Sequence, residues 1–445
     1  MSILLIIPPS KHGFHDSDVC LSFGYLASFL KKERHDVKIF NLQSISEQVI
    51  NKIIKDENPK IVGIRCLTNE RNDTIKIAKI IKKINKDVKI VIGGPHATIM
   101  YKQILKNFPI DCILLGEGEL TFLELVNVIY NNKNTEKING IAYKKNSKVI
   151  KTKSRKLISD LDSLPFPLYN LSKNTSETVW ISSGRGCMYN CGFCTAKNVW
   201  GRSYRTKSVK KIVDELEYYY NNYDKRYFGF TDDTFTYDKK RAVSICKEIL
   251  KRNMKIQWSA ATRVDCVDSK TLHWMKKAGC KRIDFGVESG SEIIRKNMNK
   301  NFNNEDIIKA FELTKKFKIK TIAYMILGYK GETLGAILQS VRLYNKINPD
   351  VIVTCPATLY PGTDLYNDAK NHGLISDDYW LSNKNAPIYT GSFSLFNILL
   401  ITFLVTSYFE LKKGFISYFR YLLRYINKGL IKKEYFRENF FDLKE

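Results

Sequence analysis

SSGRGCMYNCGFC, residues 182–194, places three of the chain's ten cysteines in eight positions, as Cys187-x3-Cys191-x2-Cys194. The motif follows directly on TVWISSG from residue 178, an apolar, β-branched run of strand type. Ten cysteines in 445 residues are too sparse for a disulfide scaffold, and crowding of this kind points to a metal. Three thiolates from one tight loop can grip three corners of a [4Fe-4S] cluster, leaving the fourth iron open to a ligand that is not protein. Structural zinc asks for four ligands, and no fourth stands nearby. The cysteines alone leave cluster and zinc both open.

Outward from this loop the chain keeps a regular alternation. Strand-type runs recur at YFGFTDD (227), IQWSAAT (256), RIDFGV (282), TIAYMILG (321) and VIVTCPA (351), with helical stretches such as 208–221 and 303–317 between them. With TVWISSG these make six β/α units in roughly 190 residues, too few for an eight-stranded barrel of about 250. The expectation is an incomplete (β/α)6 barrel over 177–375, with functional residues at the carboxyl ends of its strands. Residues 1–145 alternate in the same way, with strands at ILLIIPP (3), DVKIFNL (36), IVGIRC (61), VKIVIGG (88) and CILLGEG (112) and a helix at 71–84. This predicts an α/β, Rossmann-like domain whose ligand binds at the strand ends, two of which are glycine-rich: Gly93-Gly94-Pro95-His96 and Gly116-Glu117-Gly118-Glu119. Residues 146–176 turn polar and proline-punctuated and read as a linker; 376–445 read as a helical extension.

Composition narrows the class. A 44% hydrophobic, 26% charged chain is ordinary globular protein, not disordered or collagen-like. Its formal charge of +27 would suit an anionic partner, but the lysines are diluted among asparagine and isoleucine, as in KIIKKINKDVKI, and form no basic arm. No nucleic acid is expected. MSILLIIPPS lacks a basic start and its apolar run stops at Pro8-Pro9, so it is not read as a signal peptide and a cytoplasmic location is expected. The run FSLFNILLITFLVTSYF, 393–409, is diluted by Asn397, Thr402, Thr406 and Ser407. It reads as a buried or interfacial helix rather than a span, and with the aromatic-cationic stretch after it suggests peripheral membrane contact.

The cysteine loop, with Phe193 before its last cysteine, resembles the cluster motif of the radical S-adenosylmethionine (SAM) enzymes, whose domain is a six-unit partial barrel. The likeness continues through FTDDTFT, WSAATRVD, GVESGSE, MILGYKGET and YPGTDLY, and GGPHA and LGEGELTFLEL are similar to the cobalamin-binding domain of the cobalamin-dependent subgroup. Lys330 stands where the family often has proline, and no Asp-x-His-x-x-G occurs, so the histidine that ligates cobalt in cobalamin mutases is missing, as is usual in this subgroup.

The resemblance implies that Cys187, Cys191 and Cys194 hold a [4Fe-4S] cluster whose open iron chelates the amino and carboxylate groups of SAM. One electron then cleaves SAM to methionine and a 5′-deoxyadenosyl radical, which abstracts hydrogen from an unactivated carbon. Asp232 or Asp233 could accept from the SAM amino group, Glu288 could hold its amino or ribose end, and Arg263 could pair with a carboxylate. The plain alternatives are a helix cap for Asp232 and an ion pair with Asp265 for Arg263. Gly93, Gly94, Pro95, His96, Gly116, Glu117, Gly118 and Glu119 are expected along the cobalamin pocket, with a turn-capping role as the alternative for His96. Methyl transfer from methylcobalamin, renewed by a second SAM, is the expected reaction. Cobalamin-dependent ring formation or rearrangement is the runner-up. A methylthiotransferase with a second cluster on Cys20, Cys66 and Cys112, and a non-enzymatic sensor or scaffold, are further alternatives. The implied partners are a small-molecule, lipid or natural-product substrate and an electron donor such as flavodoxin or ferredoxin.

Overall fold

A computed structural model describes residues 2–9, 20–131, 133–169 and 178–427. The chain divides into two compact units: residues 1–189, 195–232 and 251–256 form the first, and residues 190–194, 233–250 and 257–445 the second.

The first unit carries a seven-stranded sheet in the order β2-β1-β3-β4-β5-β6-β7. Its strands are β1 (Ser2–Ile7), β2 (Asp36–Asn41), β3 (Ile61–Arg65), β4 (Lys89–Gly93), β5 (Cys112–Leu114), β6 (Ile141–Lys145) and β7 (Lys148–Lys151). Every residue of β1 is buried, as expected of a central parallel strand covered on both faces. The order 2-1-3-4-5 is doubly wound, with a reversal at β1/β3, the point at which open α/β sheets bind ligands beyond the carboxyl ends of the strands. The helix Arg71–Ile84 forms where the isoleucine pattern places it and buries Thr74, Ile77, Ala78 and Ile81 on one face.

The sheet is not wholly parallel. β5 pairs antiparallel with β6 and β6 with β7, so the stretch 146–176, expected as a linker, opens with a strand; residues 170–176 lie outside the described residues. The cause is local. Asn146 (φ 47°) and Ser147 (φ 63°) both take left-handed backbone, the two-residue turn whose twist suits a hairpin.

The second sheet follows β15-β14-β13-β12-β11-β8: β8 (Val179–Ile181), β11 (Tyr227–Phe230), β12 (Gln257–Thr262), β13 (Cys280–Glu288), β14 (Lys320–Leu327) and β15 (Val351–Pro356). β8 and β11 belong to the first unit and pair in parallel; β12 to β15 belong to the second and also pair in parallel. A small ribbon, β9 (Gly184–Arg185) with β10 (Arg205–Thr206), follows β8. The helices between the strands start on side-chain caps: Ser208 for Val209–Tyr223, Thr333 for Leu334–Ile347, and a reciprocal Asn303–Asp306 box for Asn304–Lys316. Beyond β15 the chain is helical, with Leu395–Lys412 and Phe415–Asn427 the main elements.

One turn makes the glycine requirement concrete. Gly94 has φ +123°, and a Cβ there would stand 2.7 Å from the Cys66 carbonyl oxygen. Gly94→Ala is expected to cost about 1–3 kcal/mol of stability, read by denaturant unfolding of the purified protein.

Candidate active site

The glycine turns of the first unit come from strand ends. Gly94 precedes the helix Pro95–Asn107, with Pro95 at its first position, where a missing N–H costs nothing. Gly93 lies at the end of β4, its carbonyl accepting from the Cys66 N–H at 2.8 Å. His96 is 2% exposed, with Nδ1 3.3 Å from the Thr68 hydroxyl. Burial, aided by the Arg71 charge, lowers its imidazole to about 3, so it is a neutral ring at physiological pH. The Gly116 N–H (φ +74°) donates to Thr98 Oγ1 at 3.2 Å, and a Cβ there would meet nothing nearer than 3.9 Å. Bare, open backbone at the end of β5 is the kind of surface a bulky planar ligand needs, and the turn fits a cobalamin in that respect.

Glu117 and Glu119 are held by arginines. Arg185 donates to Glu117 at 2.8 Å and to Glu119 at 2.6 Å, Arg205 donates to Glu117 at 3.0 Å, and the Ile158 N–H donates to Glu117 at 2.7 Å. Burial works against the Arg185 charge, and Glu119 and Glu117 more than restore it. The Arg185 guanidinium also lies over the Tyr25 ring, 5.1 Å from its centroid. Tyr25 in turn accepts from Lys207 at 2.9 Å, and Lys207 pairs with the fully buried Glu215. Two expected cofactor-lining carboxylates are therefore committed to the root of the cysteine loop, because Arg185 stands two residues before Cys187. Asp232 is likewise committed: it accepts from the Ser183 N–H at 2.9 Å and the Ser183 hydroxyl at 2.6 Å, tying the end of β11 to the end of β8. Asp233 is exposed.

All ten cysteines are thiols rather than half-cystines. Cys187, Cys191 and Cys194 are half-buried on the loop after β9, where the Cys194 N–H donates to the Cys191 carbonyl at 3.1 Å. Among the described residues no three His, Cys, Asp or Glu side chains are gathered around a common point. The loop fits a cluster by its donor chemistry, three thiols without a fourth ligand, and not as a closed cage. Cys66 and Cys112 are buried thiols, and burial pushes the Cys66 thiol up to about 12 and Cys112 higher still.

In the second unit, residues 190–194 of the loop are held by the barrel. The Gly192 N–H donates to Met298 O at 3.0 Å, Gly192 O accepts from the Leu365 N–H at 3.0 Å, and Phe193 meets Tyr329 edge-on with centroids 6.4 Å apart. Lys300 joins this loop to the end of β13: its Nζ lies 5.8 Å from the Phe193 centroid and donates to Glu288 at 2.7 Å and to Gly286 O at 2.7 Å. Glu288 has φ +67° at a break in the β13/β14 register, a rare backbone state for a side chain of this size. Arg263 sits over Phe302 at 5.0 Å, forked onto Asp265 at 2.9 and 2.8 Å, which is the plainer of its two expected roles. Phe193, Lys300 and Glu288 thus come together, with Arg263 one ring away across Phe302. Lys300 carries no sequence signal of its own, since NMNKN looks like an exposed turn. Arg185 adjoins the motif but carries no sign of its carboxylate partners.

Family models place a B12-binding domain at residues 21–126 and a radical SAM domain at residues 181–344. The chain is 35% identical over 393 residues to an uncharacterized methyltransferase of Pyrococcus horikoshii, covering 85% of each protein. The chain belongs to the B12-binding radical SAM enzyme family. It is also 31% identical to an anaerobic magnesium-protoporphyrin IX monomethyl ester cyclase of Rubrivivax gelatinosus, over 77% of this chain and 65% of that one. Its fold resembles the radical SAM methyltransferase TsrM of Kitasatospora setae, solved with cobalamin and a [4Fe-4S] cluster (TM-score 0.72, 16% identity, 83% of this chain and 75% of that chain). As a B12-binding radical SAM enzyme the protein works with SAM, a [4Fe-4S] cluster and cobalamin, acts on a small molecule and needs a reductant. Enzymes of this family are generally soluble and cytoplasmic.

Two predictions follow from these contacts. Arg185→Ala strands two buried carboxylates and is expected to cost about 3–5 kcal/mol, measured by urea unfolding. Arg185→Lys keeps the charge without the fork and should recover part of it. The second concerns Glu332, whose carboxyl accepts from the Gly328 N–H at 2.5 Å and is pushed up to about 7 by burial, against the opposing pull of backbone N–H groups. The folded protein then binds this proton more tightly than the unfolded chain, with its ordinary 4.5, so stability falls as pH rises between those values and levels off above. Glu332→Gln, neutral throughout, should gain about 3 kcal/mol on wild type between pH about 5 and about 8.

Proposed function

We propose that the protein is a cobalamin-dependent radical SAM methyltransferase that methylates an unactivated carbon. The observation that carries this reading is the three-thiol loop after β9, whose residues 190–194 are held by Gly192's barrel partners. When bound, the cluster supplies the electron that cleaves one SAM to methionine and a 5′-deoxyadenosyl radical, and cobalamin carries the methyl group drawn from a second SAM.

The chain's own groups orient and exclude. Cys187, Cys191 and Cys194 would hold the cluster. Lys300 and Glu288 present opposite charges beside Phe193, matching the carboxylate and ammonium of an amino acid moiety, and Arg263 adds a second cation near them. Gly93 to His96 and Gly116 to Gly118 would line cobalamin, with Glu119 and Glu117 holding the Arg185 clasp behind that turn. In the balanced reaction the substrate hydrogen passes to 5′-deoxyadenosine, and the second SAM leaves as S-adenosylhomocysteine. Each SAM consumed calls for one electron, from a donor of flavodoxin or ferredoxin type. The likeness to a cyclase keeps ring formation as the second reading.

Protein made anaerobically with cobalamin supplied should contain about four irons and one cobalt per chain. Cys187→Ala, Cys191→Ala and Cys194→Ala should each lose iron and 5′-deoxyadenosine formation while retaining cobalt. SAM with a deuterated methyl group separates the readings: label in the product supports methyl transfer, whereas unlabelled cyclised product supports ring formation.

A further inference from the structure

The helix Leu395–Lys412 is apolar on two faces, and only one of them is covered by the described residues. Ile398, Val405 and Phe409 are buried against the barrel, where Thr406 bonds Thr354 on β15, the last strand of its sheet. On the other side Phe396, Leu400, Leu404, Tyr408 and Leu411 are each 43–55% exposed, at spacings of four and three that make one continuous stripe. The next helix extends it with Phe415, Ile416 and Phe419, which are 52–76% exposed. Core packing explains Ile398 and Phe409; it gives no reason for Leu400 or Leu404. Scattered exposed apolar residues are ordinary, but an unbroken ladder of this length marks a contact surface.

Charge and position say what covers it. From 395 to 427 the sequence has four Lys or Arg, at 412, 413, 420 and 424, and a single Glu, and that glutamate, Glu410, is already bonded to Lys413. A cationic apolar helix pair suits an anionic bilayer, where cations near the surface add to the apolar burial. The eighteen-residue helix, about 27 Å long, lies along the sheet edge against β15 rather than standing apart as a span. Its start is fastened to the reactive end of the barrel. Ser392 donates to Tyr329 O at 2.8 Å and accepts from the Gly331 N–H at 3.0 Å, and Ile398 fills the space that a Cβ on Gly328 would need, 2.6 Å away. Tyr329 is the residue that meets Phe193 of the cysteine loop.

We propose that this helix pair docks the enzyme on an anionic membrane surface, and that the substrate is an apolar molecule dissolved in that membrane, an assignment that rests on the methyltransferase reading. Docking through the stripe brings the turn after β14, and with it the cysteine loop, to the lipid surface.

The test uses the holoenzyme and a Leu400→Glu/Leu404→Glu variant, whose changes touch neither the loop nor the strand ends. Wild type should sediment with vesicles of phosphatidylcholine and phosphatidylglycerol, several-fold less with phosphatidylcholine alone and less in high salt. The variant should stay in the supernatant with unchanged iron, cobalt and SAM cleavage. Wild type left in the supernatant overturns the docking, as does a dimer in light scattering that the variant dissolves, since a second copy would then cover the stripe. For the substrate, vesicles of total lipid from the cells that make the protein are incubated with deuteromethyl-SAM and reductant. Label in the organic extract, lost in the variant, is the expected result. Label confined to the aqueous fraction of a crude cell extract overturns the lipid assignment while leaving methyl transfer standing; label in neither, with both cofactors bound, overturns both.

Discussion

Arg185 and Arg205 face each other as register partners across the β9–β10 ribbon, two guanidinium groups held directly opposite in the interior of the first unit. Like charges in that position repel, and both are largely removed from water. The ribbon can close only because Glu117 accepts from both arginines and Glu119 takes the other arm of Arg185. Two positive and two negative charges then balance without solvent. The turn Gly116–Glu119, the strand that leads to Cys187 and the strand Arg205–Thr206 become one body whose parts cannot be placed independently. The cobalamin-type turn and the root of the cluster loop are thus fixed by a single electrostatic arrangement.

Such an arrangement is poor value as stability alone, since apolar residues of like volume often do as well. Its use here is geometric. A guanidinium fork on two carboxylates has few alternative poses, whereas an apolar contact tolerates sliding. The same economy recurs one step inward, where Tyr25 stacks on Arg185 and takes a hydrogen bond from Lys207, itself paired with Glu215. Asp232, on Ser183, fixes the ends of β8 and β11 in the same manner. Polar side chains that a sequence reading assigns to ligands also hold strand ends in place.

Most of the frame was legible beforehand, because strand and helix periods are local properties. All eleven strand-type runs read from the sequence are strands, and the three cysteines fall on the loop expected after β8. The β6–β7 hairpin was not legible: its strands are short and lysine-rich, and its turn uses Asn146-Ser147 rather than a glycine signal. Nor could the partners of Glu117, Glu119 and Asp232 be read, since hydrogen bonds and ion pairs between residues 49 to 88 positions apart leave no mark in either local pattern. Lys300 was missed for the same reason, and the family match names its domain without naming its contact to Glu288.

Glu288 shows what the assembled site stores. Ten non-glycine residues among those described have positive φ; nine lie in turns or just past helix ends, where asparagine-type strain is cheap, and Glu288 alone lies within a strand. A buried glutamate in that state costs about 1–3 kcal/mol and persists only where its surroundings over-determine it. They do so here from two sides. Gly286 leaves room that any Cβ would take, standing 2.6 Å from Glu288 Oε1 and 2.7 Å from Lys300 Nζ, and Lys300 holds both the carboxylate and the Gly286 carbonyl. The strained backbone turns the carboxylate towards the cation that lies over Phe193, next to Cys194. Relaxing φ would swing Glu288 off Lys300, so the strain and the ion pair maintain each other.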